Sequence, residues 1–227
     1  QVIAQDKGGK SERDVEYRRS AVLKAYRTNM KAKNYLEAKK TIDNAFSQHS
    51  EATADAHLYM YKMDALDQIV KAENRKIYLN SKPDTVSFFS NIYEMYETGL
   101  KCDSIEEAEL ATKRAEGKSA KSKLRSEIRN YMLSYRTNVL GAGKFFYNKK
   151  QYAEAFKYLD MYMQTKDAPV LTDSTVANPL ADPDDRKNVS IIAVLSAYAS
   201  SNYHGVMTYL KESLSDDNIQ AQIIEIG

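Results

Sequence analysis

The sequence predicts an all-α protein built from antiparallel helical hairpins. Three observations lead there. Apolar residues recur at three- and four-residue steps over long stretches, with no sustained alternation of period two. Only eight Gly and four Pro punctuate 227 residues, which favours long regular elements over turn-rich β structure. Seventeen Tyr stand beside no Trp. Tyr suits half-buried helix surfaces, because its ring packs while its hydroxyl reaches water.

Residues 1–12, QVIAQDKGGKSE, are polar and glycine-bearing and read as a flexible segment. One helical domain is expected over 13–227. Val15, Val22, Ala25, Tyr26 and Met30 mark a first helix. Tyr35, Ala38, Ile42, Ala45 and Phe46 form one face of a second. Between them Asn34 and Glu37 have capping-box spacing, each side chain meeting the other's backbone N–H. Two helices joined this tightly form a hairpin. Residues 54–76 carry Leu58, Tyr61, Met63, Leu66, Ile69 and Val70. NSKPDT breaks that run, and Ser81, Pro83 and Asp84 signal a new start. A helix over 86–100 holds Phe88, Phe89, Ile92, Tyr93 and Tyr96. CDSIEEAE then opens another, with Ser104 and Glu107 as its capping box.

Most of 121–147 reads as one long helix. Residues 152–164 give the clearest stripe: Tyr152, Ala155, Phe156, Leu159, Tyr162 and Met163. DAPVLTDSTVANPLADPDDRKN holds three of the four prolines and reads as a long loop. Helices over 189–200 and 203–214 follow. DDNIQAQIIEIG begins one more after Ser215 and stops within about two turns. Because the chain starts at Gln1 and its last helical pattern is so short, a removed upstream segment and a C-terminal continuation are both expected.

The charges bound the function classes. Thirty-three basic against 31 acidic residues give a net charge of +2, so the whole molecule is not a polyanion binder. No run reaches the roughly 18–20 apolar residues that span a bilayer. A single cysteine, Cys102, excludes an intrachain disulfide and a Cys-based metal cluster. His49, His57 and His204 lack metal-ligand or H-E-x-x-H spacing. ADPDD at 181–185 lacks the Gly and the distant Glu of a calcium loop. No G-x-S-x-G occurs. No catalytic residue, metal or cofactor is therefore expected, and the protein is read as not an enzyme. Seven basic and two acidic residues between Lys113 and Arg129 would suit nucleic acid or anionic lipid, but aromatics for base stacking are absent. The ordinary reading is a solvated helix face.

The stretch GAGKFFYNKKQYAEAFKYLDMY, residues 141–162, raises a nucleotide site and answers it. A phosphate loop needs G-x-x-x-x-G-K-[ST]. Here Asn138 stands where the first Gly belongs and Phe145 where the hydroxyl belongs. A repeat reading fits better: Val139, Ala142, Gly143 and Phe146 are followed by Ala155 and Leu159, with Tyr152 opening the second helix. This spacing resembles a tetratricopeptide repeat (TPR). Gly143 is expected to face Ala155, so that two helices approach closely. Val22, Ala25, Tyr26 and Asn29 with Ala38, Ile42 and Ala45 fit the frame more loosely. So do Ala193, Val194 and Ala197 with Tyr203, Val206 and Leu210.

The resemblance implies a TPR-like α-solenoid of about four hairpins that binds a protein or peptide in a concave groove. The groove residues carried over from the family frame are Arg27, Met30 and Lys31, then Leu140, Lys144, Tyr147 and Asn148. A basic, Tyr-bearing face of this kind would suit an extended acidic peptide or a polar ligand. The alternatives are a sensory or regulatory module of a longer chain and a nucleic-acid binder through Lys113 to Arg129. The look of the sequence is similar to exported TPR proteins of Gram-negative bacteria, which implies a periplasmic location, with the cytoplasm as the alternative.

Overall fold

A computed structural model describes residues 17–172 and 183–214. It contains α1 (Arg19–Lys31), α2 (Tyr35–Gln48), the short α3 (Ser50–Thr53), α4 (Ala56–Tyr78), α5 (Thr85–Ala115) and α6 (Arg125–Ser134). Then follow α7 (Arg136–Asn148), α8 (Tyr152–Gln164), a 3-10 turn (Thr165–Asp167), α9 (Pro183–Ala199) and α10 (Tyr203–Ser213). No strand occurs among the described residues, as the periodicity predicts. The expected N-terminal flexible segment, Ala181 and Asp182 of the acidic ADPDD, and the incomplete last helix lie outside the described residues.

The helices pack as four pairs: α1 with α2, α4 with α5, α7 with α8, and α9 with α10. Each pair joins the next through one helix of each, α2 on α4, α5 on α6 and α7, and α8 on α9. Two apolar clusters result. The smaller holds Leu23 and Tyr26 of α1, Ala38, Ile42 and Ala45 of α2, and Leu58 and Ala65 of α4. The larger runs from Met63, Leu66 and Val70 of α4 through α5–α8 to Ala193 and Tyr209.

The hairpins reverse through one repeated device. Lys33, Lys150 and Ser201 have φ of 61°, 60° and 59°. The N–H of the next residue reaches back to close the helix end: Asn34 to the Asn29 carbonyl at 2.9 Å, Gln151 to Phe146 at 2.9 Å, and Asn202 to Ala197 at 2.8 Å. A tyrosine then opens each new helix, Tyr35, Tyr152 and Tyr203. Asn80, φ 53°, ends α4 in the same way, with Ser81 N–H on the Lys76 carbonyl. A left-handed residue other than Gly costs ~1–2 kcal/mol, which the satisfied carbonyls offset.

Several expectations are corrected. Asn34 makes no side-chain cap, and Glu37 pairs with Lys40 at 2.7 Å instead. Asp84 does cap α5, accepting from the Ser87 N–H at 2.9 Å. Ser104 starts no helix, because α5 runs unbroken through it for 31 residues. Cys102, Asp103 and Glu106 are buried there, so packing holds the helix where the local sequence offers a start. The long helix expected over 121–147 is two, separated at Tyr135 (φ −113°, ψ 8°). The Tyr96 hydroxyl donates to the Met132 carbonyl at 2.5 Å, entering the backbone ladder at that break. Helix α9 starts at Pro183 rather than near residue 189, and proline fits a first helical position.

Gly143 is small for a different neighbour than expected. A Cβ there would lie 2.6 Å from Leu159 Cδ2 and 2.7 Å from Cγ, so the partner is Leu159, not Ala155. Leu159 is fully buried and has no room to retreat. Nothing lies within 4 Å of the corresponding point at Gly141. Gly141→Ala should therefore raise stability by about 0.5–1 kcal/mol through helix propensity alone. Gly143→Ala should lower it by about 1–2 kcal/mol through overpacking. Urea denaturation of the two variants checks this, and equal shifts would contradict the close α7–α8 contact.

Candidate functional site

The tyrosine hydroxyls define the polar interior. Sequence reasoning sends them to water, yet several cross between helices. Tyr131 of α6 donates to Asp64 of α4 at 2.5 Å. Tyr135 donates to Asp67 of α4 at 2.7 Å, and Tyr209 of α10 to Asp160 of α8 at 2.5 Å. Hydrogen bonds to an ionised acceptor are the strong ones, so these pairs fix helix register as well as spacing. Burial, then the bond to Asp160, pushes the Tyr209 hydroxyl well above its ordinary pKa, so it stays a donor.

A second polar cluster joins α2, α4 and α5. Lys39 reaches Asp43 and Glu94, each at 2.9 Å, and Lys62 reaches the same two acids at 2.6 and 2.7 Å. Burial works against the charge on Asp43, but Lys62 and Lys39 outweigh it and hold the carboxyl below its usual range. The alternating charges satisfy one another. Cys102 is equally committed. Its thiol lies 3.1 Å from the Ala56 carbonyl, and burial raises its pKa to about 12, far from thiolate reactivity. Among the described residues no group of three or more His, Cys, Asp or Glu could hold a metal ion.

The seven expected groove residues fall into two sets. Arg27 and Lys31 are exposed on α1, and Met30 is half-buried against the smaller cluster. Lys144 and Asn148 are exposed on α7, while Leu140 and Tyr147 pack on the larger cluster. Tyr147 also meets Tyr152, ring centroids 5.6 Å apart. Each set shares a helix face at three- and four-residue spacing. The sets belong to different hairpins, with the α4/α5 pair between them in packing order.

Among the described residues, three surface depressions lie elsewhere and contain none of the seven. The largest, about 670 Å³, has Leu100, Ala108 and Ala111 of α5 on one wall and Ala168–Val170 on the other. Its rim is ionic: Arg125 forks onto Asp103 at 2.6 and 3.2 Å and reaches Glu107, which also takes Arg114 at 2.6 Å. A second, about 430 Å³, lies between Val86 and Ser90 of α5 and the start of α8. A third, about 400 Å³, lies between the start of α2 and Ile69, Ala72 and Glu73 of α4.

The stretch from Lys113 to Arg129 is not one helix face. It is the end of α5, a reversal at Gly117 (φ 76°) and the start of α6. Arg114, Lys118 and Arg125 are ion-paired with acids, and Arg129 is buried with its Nε on the Val170 carbonyl. Buried Glu106 accepts from the N–H groups of Lys123 and Leu124 at 2.8 and 3.1 Å, holding the start of α6. No helix among the described residues is long and apolar enough to cross a membrane. Comparison with protein-family models, curated proteins and solved structures finds no match.

Burial holds the Asp64 carboxyl above its ordinary pKa, and the Tyr131 bond pulls it part of the way back. A folded-state pKa above the unfolded one means that ionised Asp64 costs stability at neutral pH and that acid relieves the cost. Tyr131→Phe removes the bond and raises this pKa further. It should cost about 1–3 kcal/mol at pH 7. The deficit should shrink as pH falls through the Asp64 pKa. Thermal unfolding across that range measures it, and a deficit independent of pH would contradict the pair.

Proposed function

We propose that this protein is a non-catalytic binding module, a TPR-like α-solenoid that holds an extended segment of a protein partner along its first-helix faces. The observation that carries the reading is the repeated reversal at Lys33-Asn34-Tyr35, Lys150-Gln151-Tyr152 and Ser201-Asn202-Tyr203. One turn used three times, within helix pairs that each pack on the next, supports a repeat array. Arrays of this kind present a long surface rather than an enclosed pocket. The polar groups inside are spent on one another, which fits a scaffold more readily than a reaction site.

Arg27 and Lys31 on one hairpin and Lys144 on another supply positive charge along that surface, so an acidic, extended peptide is the ligand class. An exported location fits the same reading. Selection from a random displayed-peptide library tests it. Acidic sequences should be enriched, and R27E/K31E/K144E should weaken the selected peptides roughly tenfold or more, with a salt-sensitive on-rate. Unchanged affinity in the triple variant would remove these residues from the binding surface.

A further inference from the structure

The large apolar side chains that stand in solvent among the described residues gather at one end of the molecule. Leu36 (59% exposed) follows the α1–α2 turn. Tyr78 (81%), Leu79 (73%) and Val86 (58%) flank the α4–α5 turn, and Tyr203 (67%) and Met207 (70%) follow the α9–α10 turn. Tyr198, at 40%, precedes that same turn. Antiparallel pairing puts all these turns at the same end: the start of α2 borders Ile69–Glu73 of α4, Val86 of α5 borders the start of α8, and Gly205 and Tyr209 of α10 run alongside Phe156 and Asp160 of α8. At the opposite end the connections carry His49, Asp55 and the basic reversal at Gly117, with no exposed large apolar side chain among the described residues.

The charges at the apolar end are one-sided. Each acid there is occupied inside the protein. Glu37 pairs with Lys40 at 2.7 Å, and Glu73 accepts from Lys76 at 2.6 Å and from the Asp84 N–H at 3.0 Å. Asp84 caps α5, and Glu154 stands 4.0 Å from Lys157. Lys33, Lys82 and Lys150 are exposed and form no ion pair among the described residues. The end therefore presents apolar tips between unneutralised lysines.

We propose that this end docks onto an anionic membrane surface. Tyr78 and Leu79 enter the headgroup layer, and Lys33, Lys82 and Lys150 lie over lipid phosphates. The shape decides for a bilayer over a protein. The apolar groups sit at or beside separate turns, spaced by helix pairs whose axes pack about 8–10 Å apart. A protein would need a matching hollow for each, whereas a fluid interface accepts any spacing. Tyr and Leu with flanking lysines suit the boundary between headgroups and acyl chains. A second copy set against the same end would bring like charges together. The inference does not rest on the peptide-binding reading, since the first-helix faces stay open when the turns meet a surface.

Vesicle sedimentation tests it, using the whole chain with phosphatidylcholine alone and mixed with phosphatidylglycerol. The protein should bind the mixed vesicles, more weakly at high salt, and bind the neutral ones poorly. Y78S/L79S should lower binding roughly tenfold or more with helicity by circular dichroism unchanged, because both side chains are exposed. K33E/K82E/K150E should lose the preference for the anionic lipid. No binding to mixed vesicles, or equal binding by Y78S/L79S, would overturn the proposal. So would light scattering that shows self-association abolished by Y78S/L79S without vesicle capture, since the end would then be a contact between copies.

Discussion

Helix α4 buries two faces, and the rest of the architecture depends on that. Leu58 and Ala65 point into the smaller cluster, and Met63, Leu66 and Val70 into the larger. At 100° per residue the two stripes stand roughly a third of a turn apart. An ordinary surface helix has one apolar stripe. With two, α4 joins α1 and α2 to the body of the protein, and its Asp64 and Asp67 take the hydroxyls of Tyr131 and Tyr135 from the opposite side. Among the described residues the pair α1–α2 rests its apolar face on α4.

Close approach and long reach divide the remaining work. Where helices must nearly touch, glycine stands against a large side chain: Gly143 against buried Leu159, Gly205 against half-buried Phe156, and Gly99 against buried Met63 and Ile128. Where they stand further apart, tyrosine spans the gap and its hydroxyl finds a carboxylate or a carbonyl. The abundance of Tyr without Trp then has a structural sense. A phenol is long enough to cross a helix interface and can be fully satisfied by one acceptor.

The fold class was legible because helical periodicity is a local property, and the α8 stripe was read to its ends. The reversals at residues 33, 150 and 201 were placed correctly although their φ is positive without glycine, because the following Tyr and apolar stripe marked the new helix. Three things were not legible. The continuity of α5 through Ser104 depends on burial of Cys102 and Glu106, which no local signal announces. The break at Tyr135 depends on Tyr96, 36 residues away at Met132. The neighbour of Gly143 was misplaced by one turn of α8, because spacing gives a helix face but not the height at which two helices meet. Each set of groove residues lies along one helix face, with Met30, Leu140 and Tyr147 partly buried. The turn end was invisible, since exposure of Tyr78 or Leu79 follows from pair order and not from any motif.

Native-state hydrogen exchange resolved by residue tests the central claim, that α4 joins two clusters into one cooperative unit. The slowest amides should lie in α4 and the facing half of α5. Those of α1 and α2 should open at lower free energy, because their apolar support comes from one side only. Greater protection in α1 and α2 than in α4 would contradict the account, as would an α4 that opens while α1 and α2 stay closed.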